Sequence, residues 1–261
     1  MKIIVCVKQV PDTNEVRIDP VKGTLIREGV PSILNPDDAN ALEAALQIKD
    51  ELEDTTVTVL TMGPPQADVM LRECMAMGAD KAVLLSDRAF AGADTWATSN
   101  TLAQAIRKLG GADIVFAGRQ AIDGDTAQVG PQIATRLDMP QVTYVQDIKL
   151  EGDTAVVQRQ LEDGYEVIEV RMPVLLTAVK ELNTPRYMSI SSIFDAYEKE
   201  ITIWGLKNLG LGEGEVGLKA SPTQVKRSFT PDPKGKGAVF TGQPKELVSK
   251  LLSQLREKHI V

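Results

Sequence analysis

Three glycines, two aspartates, two glutamines and a threonine crowd into fourteen residues, GRQAIDGDTAQVGP at 118–131. Such a set could ligate a cation, cradle a phosphate or form a polar turn. The spacing argues against calcium, which needs ligands at alternate positions and a distal bidentate Glu, because Ala127 and Val129 fall where ligands should continue. The single histidine, His259, stands third from the C-terminus, which argues against Ser-His-Asp or Cys-His catalysis and against His-ligated metal. Chemistry in this chain is therefore expected from a bound cofactor. Two carboxylates facing a phosphate would repel it, so backbone and side chains must divide the work. Gly124 and Gly130 let the backbone come close to a ligand, and free N–H groups at the start of the next helix receive a pyrophosphate. Asp123, Asp125, Gln120 or Gln128 then hold ribose hydroxyls or cap the helix. Pro131 belongs in that helix's first turn. On these grounds alone the stretch fits a nucleotide site or a capped turn.

Two further loops bear on the choice. NPDD at 35–38 opens the first helix, with Asn35 or Asp37 as its cap and Pro36 in its first turn. FAGADTWATSN at 90–100 follows the third strand and supplies Gly92, Asp94, Thr95, Thr98 and Ser99 ahead of another helix. Each alone is an ordinary helix start, but three such loops at one sheet edge make a crevice long enough for a dinucleotide. By contrast, GEGEVG at 212–217 matches G-x-G-x-x-G only formally. It sits in a glycine-rich stretch, not between a strand and a helix of an early βαβ unit, and reads as linker.

The elements that must position these loops follow from hydrophobic patterning. KIIVCV (2–7), TVTVLT (56–61), KAVLLS (81–86) and ADIVFA (112–117) are short runs apolar throughout. Between them apolar residues recur at helical spacing: Ala41, Ala45, Ile48 and Leu52; Met70, Cys74 and Met77; Leu102, Ile106 and Leu109; Val129, Ile133 and Leu137. This alternation predicts an α/β fold, a doubly wound, mainly parallel sheet covered on both faces. VRIDPVKGTLIR (16–27) reads as a hairpin turning around Pro20–Gly23. Residues 141–170 alternate in polarity, with turns at Glu151–Asp153 and Glu162–Gly164, and PVLLTAV (173–179) is a buried run. These form an antiparallel meander at the sheet edge. From about residue 200 Gly and Pro become frequent and no core pattern persists, until a helix at about 244–258 carries Leu247, Leu251, Leu252 and Leu255. The expected division is a nucleotide-binding domain over 1–200 and an extended C-terminal arm over 201–261 that grips a partner.

A net charge of −7 with no basic stripe argues against nucleic acid as partner. No apolar run approaches the roughly 20 residues needed to span a bilayer, and MKIIVCVKQV reads as a buried strand rather than a signal peptide. Cys6 and Cys74 have no motif spacing and fit a reduced, cytoplasmic chain.

VCVKQVPD (5–12), NPDD (35–38), TMGPP (61–65), AMGAD (76–80), GRQAIDGDTAQVGP (118–131), the meander 157–179 and NTPRYMSISSI (183–193) resemble the beta subunit of electron-transfer flavoprotein. The likeness covers most of residues 1–200, and SPTQVKRSF (221–229) extends it for part of the family. It implies a heterodimer with an alpha subunit carrying an electron-shuttling FAD. Ordinary beta chains hold a structural AMP. Bifurcating ones hold a second FAD that takes hydride from NADH, sending one electron to ferredoxin or flavodoxin. The other passes through the alpha flavin to an acyl-CoA dehydrogenase or quinone reductase. FAGADTWAT and VPDT (10–13) look like the bifurcating, nitrogen-fixation-related group, so FAD is expected over AMP. The resemblance puts Cys6, Asn35, Met62, Gln120, Asp123, Gly124, Asp125, Thr126, Gln128 and Gly130 around the adenosine and phosphates. Asp94, Thr95, Ala97 and Thr98 would lie along the second half of the dinucleotide. RYMSISSIFDAYEKE (186–200) resembles the segment that docks an acyl-CoA dehydrogenase, with Arg186, Tyr187 and Ile190 at the contact. By pattern alone, Ile190, Ile193, Phe194 and Tyr197 make an amphipathic face.

Two other functions fit the residues: a conventional carrier subunit with structural AMP, or a stand-alone adenine-nucleotide binder. The absence of G-x-x-x-x-G-K-[ST] weighs against an ATPase.

Overall fold

The computed structural model describes residues 1–12, 31–226, 235 and 237–261. Strand β1 (Lys2–Cys6) leads to a two-stranded antiparallel ribbon of β2 (Gln9–Pro11) and β3 (Ser32–Leu34). The hairpin expected at 16–27 lies outside the described residues. Then come α1 (Pro36–Glu51), β4 (Thr56–Met62), α2 (Asp68–Met77), β5 (Lys81–Leu85), α3 (Thr95–Lys108), β6 (Ile114–Gly118) and α4 (Val129–Leu137). The meander is β7 (Gln141–Glu151), β8 (Thr154–Gln160) and β9 (Tyr165–Arg171), followed by β10 (Val174–Ala178), α5 (Ile190–Glu198) and β11 (Ile201–Trp204). Two short helices, α6 (Leu206–Leu209) and α7 (Gly217–Ala220), precede α8 (Pro244–Glu257).

Among the described residues nine strands form one sheet in the order β11-β5-β4-β1-β6-β10-β7-β8-β9. Seven are joined by parallel pairings; at one edge β8 pairs antiparallel with both β7 and β9. The central strands are apolar throughout because successive side chains point to opposite faces and both faces are covered. Ile3 and Val5 join Leu42, Leu46, Met70 and Leu71 of α1 and α2, whereas Ile4 and Cys6 join Leu102, Ile106 and Ile133 of α3 and α4. Each fully buried Leu, Ile or Phe in these layers stabilises the fold by about 1.5–3 kcal/mol.

Topology fixes where a ligand can sit. From β1 the chain moves outward through β4 to β5, then α3 carries it back across the sheet to β6, on the other side of β1. The winding direction reverses between β1 and β6, and the crevice beyond their carboxyl ends is the binding position of such sheets. Leu176 and Ala178 of β10 pair with Val142 and Val145 of β7, a register shift around Tyr144 (φ 58°), whose N–H donates to Thr177 Oγ1 at 3.1 Å. This bulge lets β7 leave its parallel neighbour and continue as the first strand of the meander.

One difference from the sequence pattern concerns residues beyond 200. β11 adds a parallel strand beside β5, and Ile201, Leu209 and Val216 are buried, so the compact unit runs on to Lys226 and the expected break at residue 200 falls inside it. ITIW escaped notice because an edge strand of four residues with Thr202 and Ile203 exposed lacks a continuous apolar run. Among the described residues a second unit comprises 235 and 237–261. Its α8 opens with Pro244 in the first turn and exposes Val248, Leu251 and Leu252.

Candidate functional site

Four parallel strands deliver their carboxyl ends to one edge: Cys6 of β1, Met62 of β4, Leu85 of β5 and Gly118 of β6. The switch point is pinned by Asp38, in the first turn of α1 and 6% exposed. Its Oδ2 accepts the Lys8 N–H and its Oδ1 the Gly118 N–H, both at 2.8 Å, so one carboxylate ties the two sides of the reversal. Burial pushes the Asp38 carboxyl up to about 7, against the pull of the Gly118 N–H, Asn35 and the Lys8 N–H. A Cβ on Gly118 would lie 2.4 Å from Asp38 Oδ1, so the strand can end there only in glycine. Beside it Asp37 pairs with Arg119 at 3.3 Å; burial raises the Asp37 carboxyl and Arg119 opposes the rise.

Asn35 sits at the N-cap of α1 as expected, but its side chain makes no capping bond. Instead Nδ2 donates to Gln120 O (2.9 Å) and Oδ1 accepts the Ile122 N–H (3.1 Å), fastening the 118–128 loop to the start of α1. Lys8 Nζ meets Asp123 Oδ1 at 2.6 Å across the same loop. Gln120 Nε2 donates to Asp125 Oδ1 (2.7 Å), and Asp125 and Ala127 both take left-handed backbone, φ 46° and 51°. Two non-glycine residues so close together in that region store strain that the surrounding bonds must hold.

Helix α4 begins at Val129 with Gln128 at the N-cap and no side-chain cap, leaving first-turn N–H groups without intrahelical acceptors. Pro131 lies in that first turn. Gln128 Oε1 instead accepts the Thr95 hydroxyl (2.9 Å), and Gln132 Oε1 accepts from Ser99 (3.1 Å), so α3 and α4 meet through a polar seam that starts at the crevice. Asp94 caps α3 through Ala97 N–H (3.0 Å), while Thr98 N–H bonds Asp94 O. Burial works against ionisation of Asp94, but the bonds from Ala97 and Thr223 outweigh it and hold the carboxyl below its usual range.

The fourteen residues expected at the cofactor thus lie on the carboxyl-end loops of one sheet edge, though not all in the role anticipated. Cys6 is buried and its thiol is pushed up to about 12 by desolvation, then by Asp38, so it offers backbone and bulk rather than a thiolate. A Cβ on Gly130 would lie 2.8 Å from Thr177 Cγ2 of β10, so the fold itself requires a small residue there. Gly124 has open space where a Cβ would stand, and Thr126 is exposed. Lys8, Asp38 and Thr223 were missed; VKQVPD and NPDD contained two of them, but only their meeting partners reveal a role. GEGEVG, read as linker, has no strand entering it: its last glycine opens α7. No group of three or more His, Cys, Asp or Glu among the described residues could hold a metal ion. Both cysteines are free.

At the other expected site, Arg186 does not project. Its guanidinium grips Glu43 of α1 at 2.8 and 3.0 Å and Asp50 at 2.8 Å, which raises its pKa. Tyr187 beside it is 99% exposed, and Ile190, Phe194 and Tyr197 of α5 are exposed with it. Arg72 of α2 donates to Ala196 O (2.8 Å) and stacks on Tyr197 at 5.1 Å, so the face is held from beneath.

Residues 22–208 match the electron transfer flavoprotein domain family. The chain is 68% identical over 262 residues to the caffeyl-CoA reductase-Etf complex subunit CarD of Acetobacterium woodii, with both chains covered in full. The chain belongs to the electron-transfer flavoprotein family. Against the electron transfer flavoprotein subunit beta of Clostridium acetobutylicum it is 60% identical over 261 residues, again across the whole of both chains. Against protein FixA of Azorhizobium caulinodans it is 48% identical over 248 residues, covering 92% of this chain and 88% of the relative. The chain is thus a beta-type electron-transfer flavoprotein subunit, similar to the nitrogen-fixation-related group expected from its motifs. No helix among the described residues is long and apolar enough to cross a membrane.

Proposed function

We propose that this chain is the FAD-binding beta subunit of a bifurcating, heterodimeric electron-transfer flavoprotein. Supporting this reading is the polar seam between α3 and α4. Because Thr95 bonds Gln128, the start of α3 stands beside the start of α4 and offers a second stretch of wall to a ligand longer than a mononucleotide. Open space at Gly124 and the uncapped first-turn N–H groups of α4 fit an anionic dinucleotide. When bound there, FAD supplies the redox chemistry, accepting hydride from NADH and releasing electrons toward ferredoxin or flavodoxin and toward the alpha-subunit FAD. The chain's own residues bind and orient. Asp38 and Asn35 keep the two walls in register, the backbone N–H groups at the start of α4 would hold the pyrophosphate, and Thr95 and Gln128 would line the farther half. None of them is needed as acid or base.

The exposed face of Tyr187, Ile190, Phe194 and Tyr197 is the docking site for the acceptor, an acyl-CoA dehydrogenase or quinone reductase, and the apolar stripe of α8 binds the alpha subunit. Truncation after Lys226, which spares the compact unit, should abolish stable pairing by size-exclusion chromatography.

The test of the reading is a count. The complex with the alpha chain is denatured and released nucleotides are quantified. Two FAD and no AMP per heterodimer supports it, and NADH oxidation with ferredoxin follows as the activity assay. One FAD with one AMP makes this chain a structural partner in a conventional carrier and refutes the reading.

A further inference from the structure

Residues 205–223 wrap the segment 87–104 that supplies the second wall of the crevice. Leu206 N–H donates to Asp87 Oδ2 (2.9 Å), Asn100 Nδ2 to Glu215 O (3.0 Å), and Leu218 N–H to Ala91 O (3.0 Å). Gly217 (φ 59°) packs so closely that a Cβ would stand 2.0 Å from Ala89 O. The wrap closes on Asp94. Ser221 Oγ accepts the Asp94 N–H (2.8 Å) and donates to Gly217 O (2.9 Å). Thr223 donates its N–H (3.0 Å) and its hydroxyl (2.7 Å) to Asp94 Oδ2. With Oδ1 held by Ala97 N–H, both carboxylate oxygens are engaged within the protein.

Two things follow for an anionic ligand. The Asp94 charge is turned onto the wrap and the helix start, where it does not oppose a phosphate. The first residue of α3, Thr95, is fixed where it reaches Gln128 of α4. A mononucleotide occupying the 118–131 side alone makes no use of that wall, whereas the added half of a dinucleotide lies along it.

We propose that Ser221 and Thr223 are positioning residues that make this crevice select a dinucleotide over a mononucleotide, by clasping Asp94 and thereby setting the α3 wall. The inference rests on the reading that a dinucleotide spans the crevice from 118–131 to 94–98.

The test uses the nucleotide-stripped heterodimer, wild type and carrying Thr223→Val, Thr223→Ser or Ser221→Ala. Binding of the second FAD equivalent and of AMP is titrated by flavin fluorescence and by equilibrium dialysis. Thr223→Val should weaken the second FAD about tenfold, the loss of roughly one hydrogen bond to a charged group, with AMP affinity within about twofold of wild type. Thr223→Ser, which keeps the hydroxyl, should restore FAD affinity. Hydrogen exchange of the amides at 90–98 should quicken in Thr223→Val and not in Thr223→Ser. Equal losses of FAD and AMP, or exchange unchanged at 90–98, overturns the proposal. If Thr223→Val does not assemble, Ser221→Ala carries the same comparison. A wild-type heterodimer that takes AMP and no second FAD overturns the function reading itself. A wild type with two FAD and indifferent variants overturns only the clasp.

Discussion

Replacing Arg186 by Ala isolates the anchor of the proposed docking segment from its display. Arg186 makes two side-chain bonds to Glu43, at 2.8 and 3.0 Å, and its N–H adds a third at 3.1 Å. Glu43 is only 4% exposed. Removing the guanidinium therefore leaves a buried carboxylate with only the backbone N–H at position 186 as partner, against a loss of about 3–5 kcal/mol for a fully buried pair broken outright. The Arg186 side chain is 32% exposed, so water can partly replace it and the lower end applies. The Asp50 contact, with Asp50 60% exposed, adds at most about 1 kcal/mol. The net expectation is about 3–4 kcal/mol, or roughly 6–16 °C in Tm for a chain of this size. Differential scanning calorimetry of the heterodimer would read it. Tyr187→Ala, at a fully exposed position, should leave Tm unchanged while reducing capture of the acceptor enzyme. Arg186→Met with Glu43→Gln removes both charges and should recover most of the lost stability. If Arg186→Ala melts within about 1 °C of wild type, or the double variant is no better than Arg186→Ala, the buried-pair reasoning is wrong.

Three other outcomes follow from the crevice. The Asp38 carboxyl is raised from an ordinary 3.8 to about 7 chiefly by burial, so the folded chain holds a proton that the unfolded chain has released. Its contribution to stability is complete below the unfolded value and is lost as pH rises through 7. Urea midpoints should therefore fall between about pH 4 and about pH 7, and Asp38→Asn should flatten that part of the profile. Gly118→Ala places a Cβ 2.4 Å from Asp38 Oδ1 and 2.8 Å from the Asp37 backbone, so α1 must shift from β6. Nucleotide retention after gel filtration should be lost, and retention at wild-type levels would contradict the close fit. Asn35→Ala frees the 118–128 loop from α1 by deleting two bonds, and should weaken AMP binding about tenfold, measured by calorimetry.

The order and kind of most elements were legible in the sequence because they are set locally. Apolar runs such as KIIVC and IVFAG could only be strands covered on both faces, and the spacing of Leu102, Ile106 and Ile133 gave helices with one buried stripe. The motifs of 35–38, 90–100 and 118–131 likewise marked loops at strand ends before any strand order was known. The tertiary structure alone decided which of those loops meet. Asp38 reaches Gly118 across 80 residues, Thr223 reaches Asp94 across 129, and Arg186 reaches Glu43 across 143. None of these pairings has a local signature, since a side chain's near neighbours fix its backbone preference but not its distant partner. That partner is chosen by strand order, and here by the crossing of α3 that places β6 beside β1. The same physics hid β11: four residues with half their side chains in water become a strand only because β5 offers its edge. Composition and periodicity settled that this chain folds as a layered α/β domain with loops at one edge. The reversal of winding at β1 and β6 brought these loops to one sheet edge, the position where ligands bind in such sheets.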